Sequence, residues 1–172
     1  MIDNFDANFW TMTRETRLLR VLLVTFLVGL VLASGVLYIA SLDYAALYPE
    51  LAGLRLPIYI AVLVGLVPMI VAVKVVFDLL SVVDLGEAFS PQTVQLLRRL
   101  KGLFGITVAY LVVGLVGVSA AIWGAMGQTH PSILLGWFAA EVVALFLFTL
   151  AALLEGLFAA ALELRHDNEL TV

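Results

Sequence analysis

The chain has 172 residues, 63% of them hydrophobic and 13% charged, against roughly 45–50% apolar and about 25% charged in soluble domains. An ordinary soluble globular fold is excluded. A net charge of −4 leaves no basic footprint for direct nucleic-acid binding, and the absence of cysteine excludes disulfides, thiolate metal sites and a Cys nucleophile.

Residues 1–20 carry Asp3, Asp6, Arg14, Glu15, Arg17 and Arg20 between apolar positions at helical spacing, Ile2, Phe5, Phe9 and Met12. This predicts a short amphipathic helix on the membrane surface. From Val21 to Leu42 there are 22 residues without a charge, and a helix needs about 20 to cross a hydrocarbon core about 30 Å thick. Three further spans follow, giving predicted boundaries of about 21–42, 56–80, 103–127 and 133–157. Pro68 inside the second span removes a backbone hydrogen bond and predicts a kink, with Gly65 one turn earlier making room. The expected fold is all-α, an integral membrane four-helix bundle forming a single membrane domain.

Lys and Arg positions set the orientation. Arg14, Arg17, Arg20, Lys74, Arg98, Arg99, Lys101 and Arg165 fall on one side and Arg55 alone on the other. The positive-inside rule then places both termini, the loop 84–102 and the tail 158–172 on the cytoplasmic side. Tyr38, Tyr44, Tyr48, Trp123 and Trp137 mark the opposite interface.

Within the central loop, Ser90 followed by Pro91 is an N-cap with proline at the first helical position. Val94, Leu97, Leu100 and Phe104 then share one face, and Arg98, Arg99 and Lys101 lie off it. The segment is expected to run along the membrane surface, with Gly102 as a hinge into the third span. Its cations can meet anionic lipid or a cytoplasmic protein, or pair with the acidic tail through Asp167 and Glu169.

Glu141 stands eight residues into the fourth span, about 12 Å deep at the helical rise. An intramembrane carboxyl is costly when charged and is a functional candidate by default. Counting inward from the loops places the hydroxyls of Ser34 and Ser119 level with it as candidate partners. One reading is a protonated Glu141 hydrogen-bonded between helices; the other is a proton or cation site in a small oligomeric transporter or channel. Lys74 and Asp78, four apart, and Glu155 at the same level are expected to form a structural ion pair. Small residues at a spacing of four, Gly117 with Ala121, Ala120 with Gly124 and Ala140 with Ala144, suit close approach of helices three and four or a homo-oligomer.

No Walker loop, HExxH, G-x-S-x-G or metal-spaced cluster is present, and His130 and His166 lie in a loop and the tail. No catalytic residue, metal or cofactor is expected.

The pattern Gly86-x-x-Phe89-Ser90 followed by Leu97-Arg98, with the terminal Phe158 … Leu164-Arg165-x-Asp167-Asn168-Glu169-Leu170-Thr171-Val172, resembles the bacterial membrane family DUF2975. The chain departs from it at Gln92-Thr93, where an asparagine is usual, and at Ala161, often glycine. The resemblance implies four spans, this loop and this ending across the whole chain. It implies no defined activity. By association it implies a regulatory or scaffolding protein that meets a small cytoplasmic helix-turn-helix regulator.

Overall fold

The computed structural model describes the backbone of residues 3–127 and 131–170, and the side chains of 16–127, 131 and 134–164. Four long helices account for nearly all of it: α1 (Asp3–Leu47), α2 (Arg55–Asp84), α3 (Pro91–Met126) and α4 (Pro131–Leu170). A 3₁₀ turn, Pro49–Leu54, joins α1 to α2. All four helices are long and apolar enough to cross a membrane. A helix satisfies its own backbone polar groups, the condition for a chain in hydrocarbon.

Two expected breaks are absent. The amphipathic helix anticipated over 1–20 is the first part of α1, which runs 45 residues, roughly 67 Å at the helical rise. No proline or glycine interrupts it before Gly29. The basic segment after Pro91 likewise continues through Gly102 to Met126. A glycine inside a helix costs only about 1 kcal/mol relative to alanine, too little to break one supported on both sides. Pro68 also lies within an unbroken α2.

The anticipated cap is present. Ser90 has extended backbone, and its hydroxyl accepts from the Thr93 N–H at 3.3 Å. Thr93 Oγ1 donates to the Glu87 carbonyl at 3.3 Å, closing the loop on itself. Gly86, at φ 78°, makes the left-handed turn after α2, and Gly127, at φ 66°, the one after α3.

Among the described residues, close backbone approaches join α1 to α2, α2 to α3 and α3 to α4, so α3 is flanked by α2 and α4 while α1 packs at the edge. No residue in the most apolar stretch of α1 is buried. One cluster near the basic end joins Ala72 of α2, Leu100 and Phe104 of α3 and Ala151 of α4. A second, at the other end, joins Leu51 of the 3₁₀ turn to Val118 and Ile122 of α3.

The tight contacts are aromatic rings laid into glycine notches. The Tyr110 ring of α3 sits where a Cβ on Gly65 would lie, 2.9 Å from that position, and its hydroxyl donates to the Ala61 carbonyl at 2.6 Å. Trp137 of α4 covers Gly114 in the same way, and its Nε1–H donates to the Leu111 carbonyl at 2.7 Å. Phe148 lies against Gly105. Gly117 and Gly124, members of the small-residue pairs, have nothing near their missing side chains. The α3–α4 contact therefore uses Gly105 and Gly114, with buried Ala144 and Ala151 on α4.

A Cβ at Gly114 would lie 2.3 Å from Trp137 Cζ2, so the indole must move. Gly114→Ala is expected to destabilise the protein by about 1–3 kcal/mol, the usual cost of overpacking. Gly124→Ala should be neutral or slightly stabilising. Reversible unfolding in mixed micelles compares the two.

Candidate functional site

At the basic end, one buried carboxylate organises the loop. Glu155 of α4 accepts from Arg98 Nε at 2.9 Å and pairs with Lys101 Nζ through its other oxygen. Its side chain is 11% exposed, that of Arg98 71%. Three residues along α4, Phe158 stacks on Phe89 with centroids 5.3 Å apart. The start of α3 is thus fastened to α4 by two charge-assisted contacts, and the loop before it by one aromatic contact. A second fastening ties in α1: Arg20 donates to Asp84 at 2.6 Å and to the Ser81 hydroxyl at 3.4 Å.

This corrects the pairing expected from depth alone. Among the described residues Lys74 and Asp78 form no ion pair, with each other or with Glu155, and both are exposed. An exposed i, i+4 pair is worth only a few tenths of a kcal/mol, little inducement to order two side chains. Arg98 and Lys101 are correspondingly engaged with Glu155. Arg99 is exposed and unpaired among the described residues. The side chains of Asp167 and Glu169 lie outside the described residues.

Glu141 occupies the same stripe of α4 as Trp137, Ala144, Phe148, Ala151 and Glu155, at alternating intervals of four and three. That stripe faces α3. Its Oε2 is buried and has no hydrogen-bond partner among the described residues. The two serines expected beside it are engaged elsewhere: Ser34 donates to the Val31 carbonyl at 2.7 Å and Ser119 to the Leu115 carbonyl at 2.5 Å. Ser34 lies on α1, which makes no close backbone approach to α4. The count of depth failed for Ser119 because the helices are staggered. Gly114, twelve residues from the end of α3, faces Trp137, six from the start of α4. Glu141, a turn further in, therefore lies about two and a half turns from Ser119.

Three threonines in the spans are also satisfied within their own helices. Thr25, Thr107 and Thr149 each donate to the carbonyl four residues earlier. No continuous line of free hydroxyls crosses the described chain.

The fold and these sites define a helical membrane protein of four candidate spans, with a fastened basic end and, among the described residues, a buried carboxyl oxygen without a partner at Glu141. Residues 39–172 match the family described as "Protein of unknown function (DUF2975)". The uncharacterized membrane protein YoaS of Bacillus subtilis (strain 168) is 31% identical over 137 residues, covering 74% of this chain and 78% of that protein. The chain belongs to the DUF2975 family. The match begins at Ile39, so it covers α2 to α4, the helices around the shared core, and leaves out most of the peripheral α1. No solved structure matches. Nothing in these comparisons indicates an enzymatic activity.

Two outcomes follow. In a double-mutant cycle, Glu155→Gln and Lys101→Gln should each lower the unfolding midpoint, and together by clearly less than their sum, since each removes the same contact. Glu141→Leu should raise stability by about 1 kcal/mol or more, because it removes a buried polar atom without a partner. A loss in that variant would reveal a polar contact to Glu141.

Proposed function

We propose that this protein is a regulatory or scaffolding module of the bacterial inner membrane, with both termini and the basic end in the cytoplasm. That end, residues 84–101 and 158–172, holds a soluble partner such as a small helix-turn-helix regulator. The observation that carries this reading is the fastening to α4 of the start of α3, through Glu155, and of the loop before it, through Phe158. A loop held in place loses little conformational freedom on binding. Fastening also leaves specific groups outward: Leu85 is 77% exposed, Phe89 is exposed at the edge of its stack, and Arg99 is unpaired among the described residues. An apolar anchor beside an arginine is the composition favoured at the centre of protein interfaces. The partner class is the one that the family resemblance implies by association.

A photo-crosslinking side chain placed at Leu85 in the native host tests it. The expected result is a crosslink to a soluble DNA-binding protein that is lost with Arg99→Glu or on deletion of residues 167–172, and kept with Glu141→Gln. Crosslinks to lipid alone would overturn the reading.

A second reading, a small oligomeric transporter or channel, is favoured by the unpartnered Oε2 of Glu141. It expects Glu141→Gln to abolish flux in liposomes and to leave the partner crosslink untouched.

A further inference from the structure

Away from the basic end, the outer half of α1 and the start of α2 part around a partly open cavity of about 320 Å³. Its walls are mostly apolar, with Leu37 and Val62 at the deep end and Leu51 and Arg55 near the surface. That volume falls at the lower end of the range for small-molecule sites, about 300–1,000 Å³. The level is that of the membrane boundary. Tyr38, Tyr44, Tyr48 and Tyr59 gather there, with Tyr38 and Tyr59 in ring contact at 5.3 Å.

Two polar groups of the lining are already engaged. Ser41 donates to the Tyr38 carbonyl at 2.6 Å, and the Tyr59 hydroxyl to the Ser34 carbonyl at 3.4 Å. Arg55 differs. One of its terminal nitrogens reaches the Tyr38 hydroxyl at 3.3 Å, and its guanidinium carbon lies 5.3 Å from the centre of that ring. Among the described residues it has no ion pair, and no acidic residue lines the cavity. A guanidinium carries five N–H donors in a planar fork that matches phosphate. Tyr38 holds the fork in place and takes one donor. What remains is an oriented cation at the top of an apolar shaft.

We propose that this cavity holds one acyl chain of an anionic membrane phospholipid whose phosphate is bound by Arg55. The chain lies along Leu37 and Val62, replacing neighbours that α1, the least buried helix, otherwise lacks. Selection against zwitterionic lipid follows from the rim, where a headgroup ammonium finds no lining carboxylate. The site is remote from the basic end, so the partner-binding reading can fail without affecting it.

Native mass spectrometry of the full chain in neutral detergent, titrated with phosphatidylglycerol or phosphatidylethanolamine of identical chains, tests this. The wild type is expected to retain one phosphatidylglycerol at least ten-fold more tightly than phosphatidylethanolamine. Arg55→Gln should remove that preference. Ala40→Trp, which fills the cavity and keeps Arg55, should remove the tight binding itself. Equal retention of both lipids by the wild type would overturn the proposal, as would phosphatidylglycerol binding unchanged in both variants. Should either variant fail to fold, the other and the wild-type comparison still decide.

Discussion

Between helices surrounded by lipid there is no hydrophobic drive to associate, because lipid tails are as apolar as leucine. Association must come from close packing and from hydrogen bonds made where no water competes. Here both are supplied by one device, used twice. An aromatic ring lies in a glycine notch on the neighbouring helix and donates to a backbone carbonyl one turn away, Tyr110 over Gly65 and Trp137 over Gly114. These two contacts set α2 and α4 on either side of α3, and the placement of everything else follows. The stagger they impose on α3 and α4 brings Glu155 to Arg98 and Lys101 and leaves the Glu141 Oε2 without a hydrogen-bond partner among the described residues.

Ion pairs then do locally what the notches do along the spans. A buried charge stripped of its partner is costly, and a paired one adds direction. Glu155 fixes the start of α3 to α4, while Arg20 and Asp84 hold the base of α1 against α2. α1 has little else. Further ties, the Tyr38–Tyr59 contact and the residues around Arg55, lie at the far end, and the family match starts only at Ile39. A core of α2, α3 and α4 with α1 at its edge agrees with both observations.

The four spans and the start of α3 were legible in the sequence because their causes are local. A run of about twenty residues that is almost wholly apolar is long enough to cross the bilayer core, and Ser90-Pro91 caps a helix whatever surrounds it. Helix ends that depend on the absence of a breaker were harder. A change from apolar to basic residues near 20 and a glycine at 102 looked like boundaries, yet neither removes a hydrogen bond. The misreading at Gly102 had a consequence at the site. Treated as a surface segment, Arg98 and Lys101 were free for lipid or for the tail, and Glu155 was matched with Lys74 by depth. Extending α3 through Gly102 places Leu97, Leu100 and Phe104 in the core and the two cations at its flank, within reach of α4. Glu141 was legible as an exception to the hydropathy of its span. Its surroundings were not, since they depend on stagger, and nothing in the sequence of Gly114 distinguishes it from the unpacked Gly117 or Gly124.

The account rests on the start of α3, and with it the preceding loop, being held against α4 by Glu155. The chain has no native cysteine, so Phe89→Cys with Phe158→Cys gives a clean pair for a short thiol-specific cross-linker in native membranes. Rapid intramolecular cross-linking that slows markedly when Glu155→Gln is added is the result the account predicts. A pair that fails to react, or reacts at the same rate without the carboxylate, would contradict it.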